Sequence, residues 1–132
     1  MAHQEQRDWC NYVKKLHPNH FKNVTVCDIG SLDINGNNKY LFEKYKYVGV
    51  DICPGFNVDV LCRGHQFKPL IKFDVVISSE CFEHDEYWAD TLKNIVHNLL
   101  KPGGMFIFTC ATDGRHEHGT RRTSPADSPA TQ

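Results

Sequence analysis

The sequence predicts an α/β protein built on a doubly wound, Rossmann-like, mostly parallel sheet of about five strands in the order 3-2-1-4-5. Three observations carry this. Continuous apolar runs recur at residues 24–29, 47–52, 73–78 and 105–109, as expected for strands buried on both faces. Helical patterns or long connections separate them, not tight hairpin turns. Right-handed crossovers then leave few topologies, and the doubly wound sheet is the economical one.

The elements follow in chain order. Trp9, Tyr12, Val13 and Leu16 recur at i, i+3, i+4 and i+7, which predicts one apolar helix stripe stopped near Pro18. Residues 24–29 form the first strand, and a polar loop rich in Asn and Gly runs from Gly30 to Asn38. Residues 39–45 fit a short helix. Residues 47–52 form the second strand, closed by Pro54 and Gly55, and residues 57–61 a weaker third. Residues 73–78 form a strong fourth. Leu92, Ile95, Val96, Leu99 and Leu100 give the clearest helical stripe. Pro102, Gly103 and Gly104 are expected to end that helix, and residues 105–109 form the fifth strand. From Gly114 the composition shifts to Ser, Pro, Ala and Asp. The expected division is a core at residues 1–113 and a loop or disordered tail at 114–132.

Composition narrows the function. The chain has 132 residues, 15 Lys and Arg, 16 Asp and Glu, and a formal net charge of −1. That balance gives no reason to expect nucleic-acid or membrane-surface binding. No apolar run approaches the roughly 18 residues of a spanning helix, and the polar start lacks the apolar middle of a signal peptide. A cytoplasmic location is the expectation. Cys10, Cys27, Cys53, Cys62, Cys81 and Cys110 lack C-x-x-C spacing, so reduced thiols are expected. The sequon at Asn23 opens a predicted buried strand and is read as chance.

In doubly wound sheets ligands bind beyond the carboxyl ends of the strands. Asp28, Ile29, Gly30 and Ser31 follow the first strand, and Asp51 ends the second, 21 residues after Gly30. A glycine there lets backbone approach a ligand, and an acid at that distance can hydrogen-bond ribose hydroxyls. The pair suggests a nucleoside-containing cofactor. A tight turn at Gly30 and a helix cap at Asp51 account for them equally well.

Two further segments extend the pattern. Phe73 to His84 read F-D-V-V-I-S-S-E-C-F-E-H, and Leu99 to Phe108 read L-L-K-P-G-G-M-F-I-F. With these the chain resembles the class I S-adenosylmethionine-dependent methyltransferases of the small-molecule type, over about residues 20–112. The resemblance implies that Asp28, Gly30, Ser31 and Leu32 belong to the loop cradling the methionine part of S-adenosyl-L-methionine. It implies that Asp51 holds the ribose hydroxyls, that Ile52 packs on adenine and that Gly64 and His65 line the adenine edge. Ser79 and Glu80 fall where the methionine end meets the substrate entrance, and residues 101–104 form a structural turn. The product would be S-adenosyl-L-homocysteine.

The chain departs from the family in three places. Of acidic-x-G-x-G-x-G only the first glycine is kept, since Leu32 and Ile34 replace the others; Asn35 and Gly36 offer an alternative turn. Arg63 stands where an Asp often faces the adenine amino group, with Asp59 nearby. Only 23 residues follow Thr109, so the family's last two strands are expected to be missing and the chain to be either a truncated form or a minimal version completed by a partner. A bare fifth-strand edge offers a route to a homodimer.

Methyl transfer needs alignment more than proton chemistry, and a base only for an acceptor with a proton to lose. Glu80 and His84 are weak candidates, with Glu83 and Asp85 beside them; Glu83 and His84 equally well open a helix. His116, Glu117 and His118, among Arg115, Arg121 and Arg122, lack a third ligand at a recognisable spacing. No metal is expected, and this run reads as a substrate-facing loop or as disorder. The leading expectation is a methyltransferase acting on a small molecule. The alternatives are a cofactor-binding fragment or pseudoenzyme module, and a nicotinamide oxidoreductase, which the missing G-x-G-x-x-G disfavours.

Overall fold

A computed structural model of the chain describes residues 4–34, 36–79 and 85–109. The elements are α1 (Gln4–Leu16), β1 (Lys22–Ile29), β2 (Glu43–Asp51), β3 (Val60–Leu61), β4 (Phe73–Ser79), α2 (Trp88–Asn94) and β5 (Leu100–Thr109). The five strands form one sheet in the order β3-β2-β1-β4-β5, and every neighbouring pair is parallel. The expected architecture and strand order are therefore observed. Among the described residues no helix is long and apolar enough to cross a membrane.

Alternation along β1 divides the core between the two sheet faces. Val24 and Val26 join Cys10, Val13, Phe21, Leu41, Phe42, Val75, Ile77 and Ile107 on the face covered by α1. Cys27 and Ile29 join Val50, Phe67, Phe73, Val76, Ile95 and Leu99 on the face covered by α2. Between β1 and the start of β2, the helical element among the described residues is a 3-10 turn, Lys39–Leu41. The helix expected at 39–45 is replaced by this turn and the start of β2. Leu41 and Phe42 anchor it in the core, and the β-branched and aromatic residues beyond favour a strand.

The stripe on α1 is rotated from the predicted one. Gln6, Cys10 and Val13 are buried, while Trp9, Tyr12 and Leu16 are 47%, 55% and 55% exposed. Phe21, Leu41 and Phe42 already fill that face, leaving room for small side chains such as Cys10 and Val13 rather than for rings.

The second helix also differs. It stops at Asn94, and the chain continues as a π-helical turn, Ile95–Leu99. The wider turn places both Ile95 and Leu99 in the core and leaves Val96 exposed. Leu100 belongs to β5, so Pro102 does not end the helix.

Residues 101–104 instead interrupt β5. Between two paired positions β5 advances from Leu100 to Met105 while β4 advances only from Phe73 to Val75. Gly103 takes φ 79°, a left-handed conformation suited to glycine. A Cβ on Gly104 would lie 2.9 Å from Lys101 O and 3.0 Å from Asp74 O. Asp74 secures this end of the sheet, accepting from Thr25 N at 2.8 Å, Thr25 Oγ1 at 3.1 Å and Lys101 Nζ at 3.2 Å.

Candidate functional site

The carboxyl edge of the sheet gathers the ends of β1, β2, β3 and β4. β1 ends at Ile29, and Gly30 follows with φ 80°. The N–H groups of Gly30 and Ser31 both donate to Val50 O, at 2.8 and 3.1 Å. This folds the loop after β1 across β2. Leu32 N then donates to Asp51 Oδ2 at 3.0 Å, and Cys53 N to Asp51 Oδ1 at 3.0 Å. The Asp51 carboxylate is thereby fixed in orientation. A carboxylate has about four acceptor sites, so acceptor capacity remains for a ligand.

The loop after β2 is stitched to the loop after β1. Asp33 N donates to Phe56 O at 3.0 Å, and Asn57 Nδ2 to Ser31 O at 3.0 Å. Asp59 accepts from Gly49 N at 2.8 Å, so it is a structural clasp on β2. Gly49 permits this closeness, because a Cβ there would meet Asn57 O at 2.0 Å and Ser31 Oγ at 2.6 Å.

The replaced second glycine also finds an explanation here. Leu32 Cδ1 lies 2.5 Å from where a Cβ of Gly55 would stand. The close approach at this edge therefore uses Gly55, and Leu32 packs over it. Gly36, with φ 125°, donates its N–H to Asp33 Oδ1 at 2.7 Å; Asn35, the other residue of the expected alternative turn, lies outside the described residues.

Gly64 and His65 lie in a 3-10 turn, Gly64–Gln66, beyond β3. A Cβ on Gly64 would meet Thr91 Cγ2 at 2.8 Å and Ile29 Cγ2 at 3.0 Å. The buried Asn94 clamps this turn, donating to Gly64 O at 2.7 Å and Phe67 O at 2.9 Å. The His65 ring lies 4.6 Å from the Tyr87 ring, and the Arg63 guanidinium 5.5 Å from the same ring. Arg63 therefore stacks on Tyr87. His65 Nδ1 and Ser31 Oγ are buried without a hydrogen-bond partner.

Asp28 and Ser79 occupy the neighbouring part of the edge. Asp28 is 2% exposed and Ser79 7% exposed. The Tyr47 hydroxyl donates to Asp28 Oδ2. Asn38 Nδ2 donates to Ser79 Oγ at 3.1 Å, and the Asn38 amide faces Asp28 closely enough to favour its ionised form. Burial pushes the Asp28 carboxyl up to about 7, and the bond from Tyr47 and the nearby Asn38 amide oppose that rise.

The structure thus brings Asp28, Gly30, Ser31, Leu32, Asp51, Gly64, His65 and Ser79 to strand ends and the loops beyond them, with Ile52 half-buried beside Asp51. The Ser31 hydroxyl packs against Gly49. Glu80, Glu83 and His84, and the run from Arg115 to Arg122, lie outside the described residues, as does the expected boundary at 113. Tyr47 and Asn38 escape sequence reasoning. Tyr47 reads as one more strand residue and Asn38 as one of several loop amides.

The four described cysteines, Cys10, Cys27, Cys53 and Cys62, are free thiols. Burial pushes the Cys10 thiol up to about 11 and the Cys27 thiol further, which makes both unreactive. Among the described residues no three His, Cys, Asp or Glu side chains are grouped to hold a metal.

An open parallel sheet of this order, with a glycine turn after its first strand and an acid closing its second, is a Rossmann-like α/β fold. The methyltransferase domain family matches residues 1–129, and the chain belongs to that family. No curated protein and no solved structure matches it.

Proposed function

We propose that the protein is an S-adenosylmethionine-dependent methyltransferase that acts on a small-molecule acceptor by in-line displacement. The observation that carries the reading is the latch between Leu32 N and Asp51 Oδ2. It holds an oriented carboxylate with spare acceptor capacity beside the glycine turn of the first strand. The donor set suits the cofactor: a carboxylate for a diol, an unpartnered histidine nitrogen near a base edge, and an acid for an ammonium group.

When bound, S-adenosyl-L-methionine supplies an activated methyl group on a sulfonium centre. Asp51 would hold the ribose hydroxyls. Ile52, Gly64 and His65 would line the adenine. Gly30, Asp28 and Ser79 would receive the amino-acid end. These groups sit on strand ends, whose rigidity favours the alignment that displacement requires. The near-neutral charge supports a small metabolite over a nucleic acid as acceptor.

The test is transfer of isotope-labelled methyl from S-adenosyl-L-methionine to fractionated small metabolites, with S-adenosyl-L-homocysteine measured in parallel. Label in one acceptor fraction with matching product is expected. Cofactor binding without transfer to any fraction would overturn the methyltransferase reading.

A further inference from the structure

The end of β1 is joined to the middle of β2 and the end of β4 through two residues that the cofactor reading does not use. From β2, Tyr47 donates its hydroxyl to Asp28 on β1. From the connection between these strands, Asn38 donates to Ser79 on β4 and lies beside Asp28. All but Tyr47, which is half-buried, lie in the buried interior. Lys39 Nζ stands 5.2 Å from the centre of the Tyr47 ring and holds that ring from the solvent side.

The geometry points to Tyr47 and Asn38 as positioning residues, which act through Asp28 and Ser79 to prepare the end of β1 and β4 for the amino-acid moiety of the cofactor. This rests on the cofactor reading above and adds to it a division of labour. Asp28 and Ser79 would touch the ligand, while Tyr47 and Asn38 set their orientation and the charge of Asp28.

Electrostatics supports the assignment. A buried carboxyl binds an ammonium group well only when ionised. Burial opposes ionisation of Asp28, as does the charge of Asp51, whereas the Tyr47 bond and the Asn38 amide favour it. Among the described residues, the other titratable groups around Asp28 include the thiols of Cys10 on α1 and Cys27 on β1, both raised by burial and therefore neutral. Lys39 reaches the Tyr47 ring. Ser79 on β4 does not titrate in this range.

The experiment is calorimetric titration of wild type, Tyr47→Phe and Asn38→Ala from pH 6 to 9 with two ligands. S-adenosyl-L-homocysteine carries the amino-acid moiety; 5′-methylthioadenosine lacks it. Tyr47→Phe is expected to weaken the first about tenfold at pH 7 and to move the midpoint of its pH profile up by about one unit. Binding of 5′-methylthioadenosine should change less than about twofold and stay flat with pH. The ligand's own amino group titrates alike in every protein, so a difference between variants belongs to the protein.

An unchanged midpoint, or equal losses for both ligands, would overturn the assignment and leave the cofactor reading standing. Failure of wild type to bind either ligand would overturn the cofactor reading and this assignment with it. Should Tyr47→Phe fail to fold, Asn38→Ala decides by the same comparison, since it removes an amide that favours the ionised carboxyl and that orients Ser79. A ligand-free readout is available as well. The thermal midpoint of Tyr47→Phe should keep falling above pH 7, beyond the range over which wild type falls.

Discussion

The backbone N–H of Leu32 donates to Asp51 Oδ2 across 3.0 Å, while the Leu32 side chain rests where Gly55 has no Cβ. One residue thus joins the loops after β1 and β2 through both its backbone and its side chain. Asp51→Ala removes the acceptors for Leu32 N and Cys53 N together. The expected loss of stability is about 1–3 kcal/mol, since hydrogen bonds to charged groups are worth that much. Chemical denaturation of the ligand-free protein checks it. An unchanged midpoint would show that the latch contributes nothing to the fold.

Gly49 is the tightest point of the site. A methyl group there would meet Asn57 O at 2.0 Å and Ser31 Oγ at 2.6 Å. Backbone cannot withdraw as a side-chain tip can, so Gly49→Ala should cost about 2–3 kcal/mol through overpacking. It should also part the two loops. Denaturant unfolding gives the first quantity, and a fall in cofactor affinity larger than that of a distant control such as Val96→Ala gives the second.

The buried Asp28 makes stability depend on pH. Its carboxyl stands at about 7 instead of the ordinary 3.8, first through burial. Between these values the native state holds a proton that the unfolded chain has released. The contribution is fully present below about pH 4 and is lost as pH rises through about 7. Asp74 is shifted the other way: despite partial burial, bonds from Thr25 and Lys101 hold it below the ordinary value. Its contribution is lost only in acid and does not overlap this window. The thermal midpoint should therefore fall from pH 4 to 7 in wild type and be flatter in Asp28→Asn. Equal slopes in the two proteins would contradict the buried, proton-holding carboxyl.

Asn94 secures the turn that carries His65. It donates to Gly64 O and Phe67 O and accepts from Lys68 Nζ at 2.6 Å. Asn94→Ala leaves buried carbonyls unpaired, at a cost of about 1–3 kcal/mol. Leu should be no better, because the carbonyls still lack donors. Amide exchange at residues 64–67 should rise in both variants.

The strands and their order were legible because β1 and β4 are nearly continuous apolar runs, a pattern that a sheet covered on both faces requires. The helices were less so. On α1 the large rings of Trp9 and Tyr12 dominated the pattern, whereas the crowded face admitted Cys10 and Val13. The π-helical turn at Ile95–Leu99 changes the period within one apolar stripe, and a single helical period cannot register that. At the site, Asp28, Gly30 and Asp51 were visible through position in the chain. The roles of Gly49, Gly55, Tyr47 and Asn38 arise from contacts between separate loops and strands, which no local spacing encodes.

The most direct measurement is a thermal-shift titration with S-adenosyl-L-methionine, S-adenosyl-L-homocysteine and NADH, confirmed by calorimetry. Ligand at about 100 times its dissociation constant adds roughly 2.7 kcal/mol of stability, which is on the order of 10 °C for a domain of this size. The account predicts that shift for the two adenosyl ligands, none for NADH, and its loss in Asp51→Ala. A folded wild-type protein that shifts with neither adenosyl ligand would contradict it.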